Sequence, residues 1–137
     1  MNNLATLVGR IGLSLLFILA GLGKIAGYAG TQQYMEAMGV PGGLLPLVIA
    51  LEVGGGLAIL AGLFTRPVAI ALAGFSIVSA ALFHANIGDQ MQFINFFKNL
   101  AIAGGFLALA ASGAGAWSLD ALRNRKSAGL NPARGAA

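Results

Sequence analysis

The sequence predicts an all-α, membrane-spanning four-helix bundle of up-down topology, and three observations carry that prediction. The first is composition: of 137 residues, 58% are apolar and only 9% charged, and the mean hydropathy is +0.84. A soluble domain of this length rarely tolerates so little charge. The second is spacing, because the apolar residues gather in four runs near 20 residues long, the length needed to cross a hydrocarbon layer about 30 Å thick. The third is the lack of polar/apolar alternation within those runs. Backbone groups in lipid must be satisfied inside the segment, so unalternated runs favour helices over barrel strands. The runs occupy residues 1–120 and leave a basic tail, 121–137, expected to be disordered.

The first run, Leu4 to Lys24, has no basic region ahead of it and no small-residue cleavage signal, so it reads as a retained span. Arg10, Ser14, Phe17, Gly21 and Lys24 follow one helical stripe that should face protein. Arg10 has two readings. Its stem can carry the guanidinium to the near interface over roughly 9 Å, or it can make an interior ion pair or ligand contact.

Tyr28 to Gly43 is too polar to cross a membrane and is expected at the interface. Thr31 to Met38 could form two turns of amphipathic helix closed by Gly39, either a lid over one mouth of the bundle or an interfacial loop anchored by tyrosine.

The second span, Leu44 to Phe64, contains one carboxylate, Glu52, roughly 12 Å along and so near mid-membrane. Such an acid usually faces the bundle interior with a partner or a bound proton. Gly55 and Gly56 follow it on a face with almost no bulk, and another helix or a ligand can approach there. Gly54, Ala58 and Gly62 form a small-residue stripe that could pack a helix of this chain or of a second copy.

Thr65-Arg66-Pro67 turns the chain into the third span, Pro67 to His84, with Pro67 at a helix start where its missing N–H does no harm. His84 shares a face with Ser76 and Ala80 near the far surface. With one histidine and no cysteine, the chain cannot build a zinc, bis-histidine haem, copper or thiolate-bound iron–sulfur site from its own side chains. Hydrogen bonding or proton relay is left for His84.

The last span is expected from Phe93 to Trp117, with aromatic residues at both ends and Asn95, Lys98 and Asn99 near its start. Arg66, Arg123, Arg125, Lys126 and Arg134 then fall on one side, which the positive-inside rule makes cytoplasmic together with both termini. Lys24, Glu52, His84, Lys98 and Asn99 collect in the outer half. Glu52 and Lys98 differ in depth by only about 4 Å, whereas Arg10 lies some 9 Å deeper, so Lys98 ranks above Arg10 as partner of the carboxylate.

In combination, RIGLSLLFILAGLGK, GVP, LEVGGGLAILAGLFTR and KNLAIAGGFLALAASGAGAWSLD resemble the DoxX family of small four-helix bacterial membrane proteins, over about residues 7–120. By that match Arg10, Lys24, Glu52, Lys98, Asn99, Ser118 and Asp120 are this chain's versions of family positions. The resemblance implies an inner-membrane, multi-pass location and an association with membrane oxidoreductase complexes, thiosulfate:quinone oxidoreduction giving the family its name. Without cysteine this chain could not do sulfur chemistry alone.

Two functions follow as expectations. One is a membrane subunit of a redox system that binds a quinone-like amphiphile, with Lys98, His84 and Asn99 hydrogen-bonding its carbonyls and Glu52 handling a proton. The other is a non-enzymatic protein that binds or moves a small solute or lipid with the same charges. Lipid surrounds the protein in either case. Redox proteins of the membrane or periplasm, or a second copy, are the macromolecular partners expected, and nucleic acid is not.

Overall fold

The computed structural model describes residues 2–129. Among them four helices are long and apolar enough to cross a membrane: Asn3–Ala26, Gly42–Ala61, Thr65–Phe83 and Gln90–Ser112. The described residues form no strand. The fold class read from composition and run length is therefore the observed one.

Helix α1 (Asn3–Ala26) starts at Asn2, whose side chain accepts hydrogen bonds from the N–H groups of Leu4 and Ala5. Its buried residues are Arg10, Ser14, Phe17 and Gly21, the stripe that the helical period predicts. Val8 and Leu19 on other faces are 57% and 64% exposed, an apolar surface that suits contact with lipid. A short helix, α2 (Tyr28–Ala37), follows, and Gly39 at φ +80 closes it in the left-handed region that glycine enters freely. Pro41 then turns the chain back toward the bundle.

The second span is compound. A 3-10 turn at Gly42–Leu44 leads into α3 (Leu45–Ile49), a π turn covers Ala50–Gly54, and α4 (Gly55–Ala61) completes the crossing. The π turn surrounds Glu52, and its extra residue re-aims the carboxylate relative to a regular helix. The span ends at Gly62, φ +71, short of the expected Phe64.

Helix α5 (Thr65–Phe83) ends at His84, close to expectation. Helix α6 (Gln90–Ser112) begins three residues before Phe93 because Asp89 caps it, accepting from the N–H groups of Met91 and Gln92. It stops at Ser112, short of the expected Trp117, because Gly113 and Gly115 sit at φ +81 and +83 and break the helix. Trp117 therefore lies in a loop. The tail is also corrected in part. Residues 119–129 form a helix, α7 (Leu119–Gly129), carrying Arg123, Arg125 and Lys126, while Arg134 and the rest of the expected disordered tail lie outside the described residues.

Helix α1 packs along the second span, and α5 packs along α6. The first contact is close because glycine lines it. A Cβ on Gly21 would sit 2.5 Å from Val53 Cγ2, and one on Gly56 would sit 2.7 Å from Ile18 Cγ1 and 3.2 Å from the Ser14 carbonyl. Gly55 meets Leu72 of α5. The stripe of Gly54, Ala58 and Gly62 is not one packing surface: Gly54 is exposed with nothing near it, Ala58 is half-buried, and Gly62 belongs to the turn at the end of the span. Gly62 leaves the helix at φ +71, so it does not continue the face of Gly54 and Ala58. Between the helix pairs lies a core of Phe17, Ile59, Leu72, Phe106 and smaller residues, with the Phe17 and Phe106 rings edge-on at 5.4 Å.

Candidate functional site

Two polar clusters sit at opposite ends of the bundle. At the end covered by α2, the Lys24 ammonium donates to both oxygens of the Glu52 carboxylate, at 2.8 and 3.0 Å. It is the one ion pair among the described residues, and the two side chains are unequally covered, Lys24 30% exposed and Glu52 2%. This corrects the ranking of Lys98 as partner. Lys98 is exposed on α6, which packs on α5, whereas Lys24 ends the buried stripe of the helix that packs on Glu52.

The pair opens into a cavity of about 450 Å³ lined chiefly by apolar side chains, among them Phe17, Met35, Phe75 and Phe83. His84 and Asn99 line it too, so four of the six charged or polar candidates, Lys24, Glu52, His84 and Asn99, converge on one space. Lys98 and Arg10 do not. Helix α2 roofs the cavity through Thr31, Tyr34 and Met35, the placement that the lid reading of this stretch expects. Tyr34 stacks on Phe83 at 5.5 Å, and the Gln32 amide donates to the Gly42 carbonyl at 3.1 Å, so the lid is held on both sides. Sequence reasoning offered the lid as one of two readings and did not find Phe75 or Ser79, whose positions on α5 become meaningful only once that helix is placed beside the cavity.

At the opposite, basic end Arg10 is 1% exposed and donates through Nη2 to the Trp117 carbonyl at 2.6 Å. It therefore makes an interior contact and does not snorkel. Its Nε and Nη1 have no protein partner among the described residues. The turn it supports is a latch. The Asp120 carboxylate accepts from the N–H groups of Phe64 and Thr65, at 2.8 and 2.9 Å, and the Asp120 N–H donates to the Gly62 carbonyl at 2.9 Å. Ser118 Oγ donates to the Gly115 carbonyl and accepts from the Ala121 N–H. Phe64 sits at φ 49 under the Arg123 guanidinium, 4.5 Å from its ring centre. Arg10, Ser118 and Asp120 are thus explained as parts that tie α7 and its loop to the bundle.

Burial works to raise the Asp120 pKa, but hydrogen bonds from Thr65 and Phe64 and the charge of Arg123 outweigh it and hold the carboxyl below its ordinary value. A carboxyl depressed in the folded state contributes stability above its unfolded pKa, about 3.9, and loses it as pH falls through the lower folded value. Asp120→Asn should therefore flatten the acid limb of a thermal stability profile below about pH 4. An unchanged limb would show that the latch does not depend on the ionised carboxylate.

The comparisons with known proteins fit this architecture. The sequence model of the DoxX family matches residues 5–85. The chain is 58% identical over 126 residues to inner membrane protein YqjF of Escherichia coli (strain K12), an alignment that covers 92% of this chain and 97% of YqjF. It is 41% identical over 121 residues to inner membrane protein YphA of the same organism, covering 83% and 86%. A shorter match, 33% over 71 residues, covers 52% of this chain and 53% of "Putative oxidoreductase CatD" of Bacillus subtilis (strain 168). No solved structure matches the chain. With a family match over more than half its length, near-complete alignment to YqjF and four helices able to cross a membrane, the chain belongs to the DoxX family and is a multi-pass inner membrane protein.

Proposed function

We propose that the protein holds a quinone-like amphiphile in the cavity beneath α2 and acts as the membrane subunit of a redox system. The observation that carries this reading is the convergence of Lys24, Glu52, His84 and Asn99 on one largely apolar space of about 450 Å³. That volume lies within the usual range for small-molecule sites, and a few convergent polar groups in an apolar cavity are their usual chemistry. A quinone ring is flat and apolar with carbonyl acceptors at its edge. Phe75, Phe83 and Met35 suit the ring, and the Asn99 amide, the His84 imidazole and the third N–H of Lys24 suit the acceptors. The name "Putative oxidoreductase CatD" supports the redox half of the proposal. The electrons would pass to or from a partner protein.

Protein extracted from membranes should carry quinone into an organic extract, and added short-chain quinone should raise its thermal unfolding temperature by several degrees, less so in Asn99→Leu. No extractable quinone together with no thermal shift would remove the basis for the proposal.

The same proposal orients the bundle. Arg66, Arg123, Arg125 and Lys126 stand at the end of the bundle opposite the lid, so we place that end and both termini in the cytoplasm and the cavity in the outer half. A reporter enzyme fused after Ala137 should behave as cytoplasmic; periplasmic activity would invert the bundle and the site with it.

A further inference from the structure

The Glu52 carboxylate is 2% exposed, yet among the described residues it receives hydrogen bonds from one group only, the Lys24 ammonium. A buried ion pair kept for stability normally has further hydrogen bonds on its remaining lone pairs, because mutual attraction alone rarely repays desolvation. Asp120 at the basic end shows the contrast, with two backbone N–H groups and no ion pair. The Lys24–Glu52 pair is therefore poorly supported, and it lies on the wall of a cavity. Its two halves also differ in a useful way. Glu52 can become neutral by taking up a proton, whereas Lys24, at 30% exposure, faces the space a ligand would fill.

We propose that the pair is exchangeable: a singly charged anionic amphiphile takes the place of the Glu52 carboxylate at Lys24, while Glu52 takes up one proton from the outer aqueous phase. The charge balance of the cavity is the same before and after, one cation facing one anion, so the low-dielectric interior never holds an unpaired ion. The consequence is that anion binding and proton uptake are linked one to one. An alcohol of the same chain length, with no charge to offer Lys24, occupies the apolar part of the cavity without moving a proton.

Other titratable groups near the site are few. Tyr34 on α2 and His84 at the end of α5 line the cavity, and Glu36 packs against Gly42 at the lid hinge. Lys98 on α6 is exposed and outside the lining. Of these His84 lines the cavity as its one imidazole, so it is the group the experiment must separate from Glu52.

The inference rests on the cavity being an amphiphile site and not on the ligand being a quinone. The probes are decyl sulfate, ionised at every working pH, and decanol, titrated into the full-length protein in lipid nanodiscs between pH 6 and 8. Decyl sulfate should bind about tenfold more tightly for each unit by which pH is lowered, with close to one proton taken up per anion in weak buffer. Decanol should bind with no pH dependence. Glu52→Gln should hold decyl sulfate at its tight limit at every pH, Lys24→Met should lose the preference for the anion, and His84→Gln should keep the slope. Decanol binding beside pH-independent decyl sulfate binding would overturn the exchange and leave the cavity reading standing. A slope lost in His84→Gln but kept in Glu52→Gln would overturn it as well. Binding of neither probe would remove the cavity reading itself.

Discussion

Lys24→Met should lower stability at pH 7 by about 3–4 kcal/mol, since removing one partner of a buried pair typically costs about 3–5 kcal/mol. The carboxylate left behind is only 2% exposed and so is poorly hydrated. It can take up a proton, and protonating an ordinary carboxyl at pH 7 costs about 4 kcal/mol, which bounds the loss. That bound shrinks to about 1 kcal/mol at pH 5, so the deficit should nearly vanish on acidification. Glu52→Gln should cost less, about 2 kcal/mol, because the stranded ammonium is 30% exposed and its stem lets it turn toward the lid-end interface. The double mutant Lys24→Met/Glu52→Gln leaves no ion and should return to within about 1 kcal/mol of the parent. Glu52→Gln combined with Lys98→Met should instead be additive, as the two residues do not meet. Thermal unfolding in detergent at pH 5 and pH 7 reads all of these. Additive losses for Lys24 and Glu52, or a Lys24→Met deficit that ignores pH, would mean the pair contributes nothing as a pair.

The parts of this architecture that depend on one-dimensional period and length are legible in the sequence. Run length gives the four spans, and the spacing of Arg10, Ser14, Phe17 and Gly21 gives the buried face of α1. The convergence of Glu52, His84 and Asn99 could be expected from depth alone, since all three sit in the same half of their spans. What depth cannot supply is azimuth. Lys98 lies at a suitable level but on an exposed side of α6, and Lys24, nominally at the membrane edge, reaches inward because its helix packs directly on the second span. The stripe that ends in Lys24 was the available signal. The π turn at Ala50–Gly54 has no marker in an apolar run, and the small-residue stripe through Gly54, Ala58 and Gly62 fails because Gly54 faces open space and Gly62 turns the chain at φ +71. At the basic end the paired positive-φ glycines that end α6 are a short-range signal, but Asp120 caps α5 across 55 residues of sequence separation, a contact no local pattern announces.

That long-range latch makes Gly62 the most crowded of the described glycines. Gly62→Ala meets two penalties at once. The residue sits at φ +71, and a left-handed conformation costs a residue with a Cβ about 1–2 kcal/mol. The new methyl would also run into the Arg10 guanidinium and the Ser118 side chain, both inside contact distance of that Cβ. Overpacking of this kind typically costs about 1–3 kcal/mol, and Arg10 has little freedom to yield while it is held by the Trp117 carbonyl. We expect a loss of about 3 kcal/mol or more in thermal unfolding, together with easier proteolysis around residues 113–125 as the latch opens. The two penalties separate in a second background. Arg10→Met has a flexible end that can move aside, so Gly62→Ala in that background should show only the backbone share, about 1–2 kcal/mol. Arg10→Met alone should be mild, because it removes the unpartnered Nε and Nη1 along with the Nη2 that donates to Trp117. If Gly62→Ala costs the same with and without Arg10, the guanidinium does not pack on that turn, and Arg10 holds the latch only through its hydrogen bond.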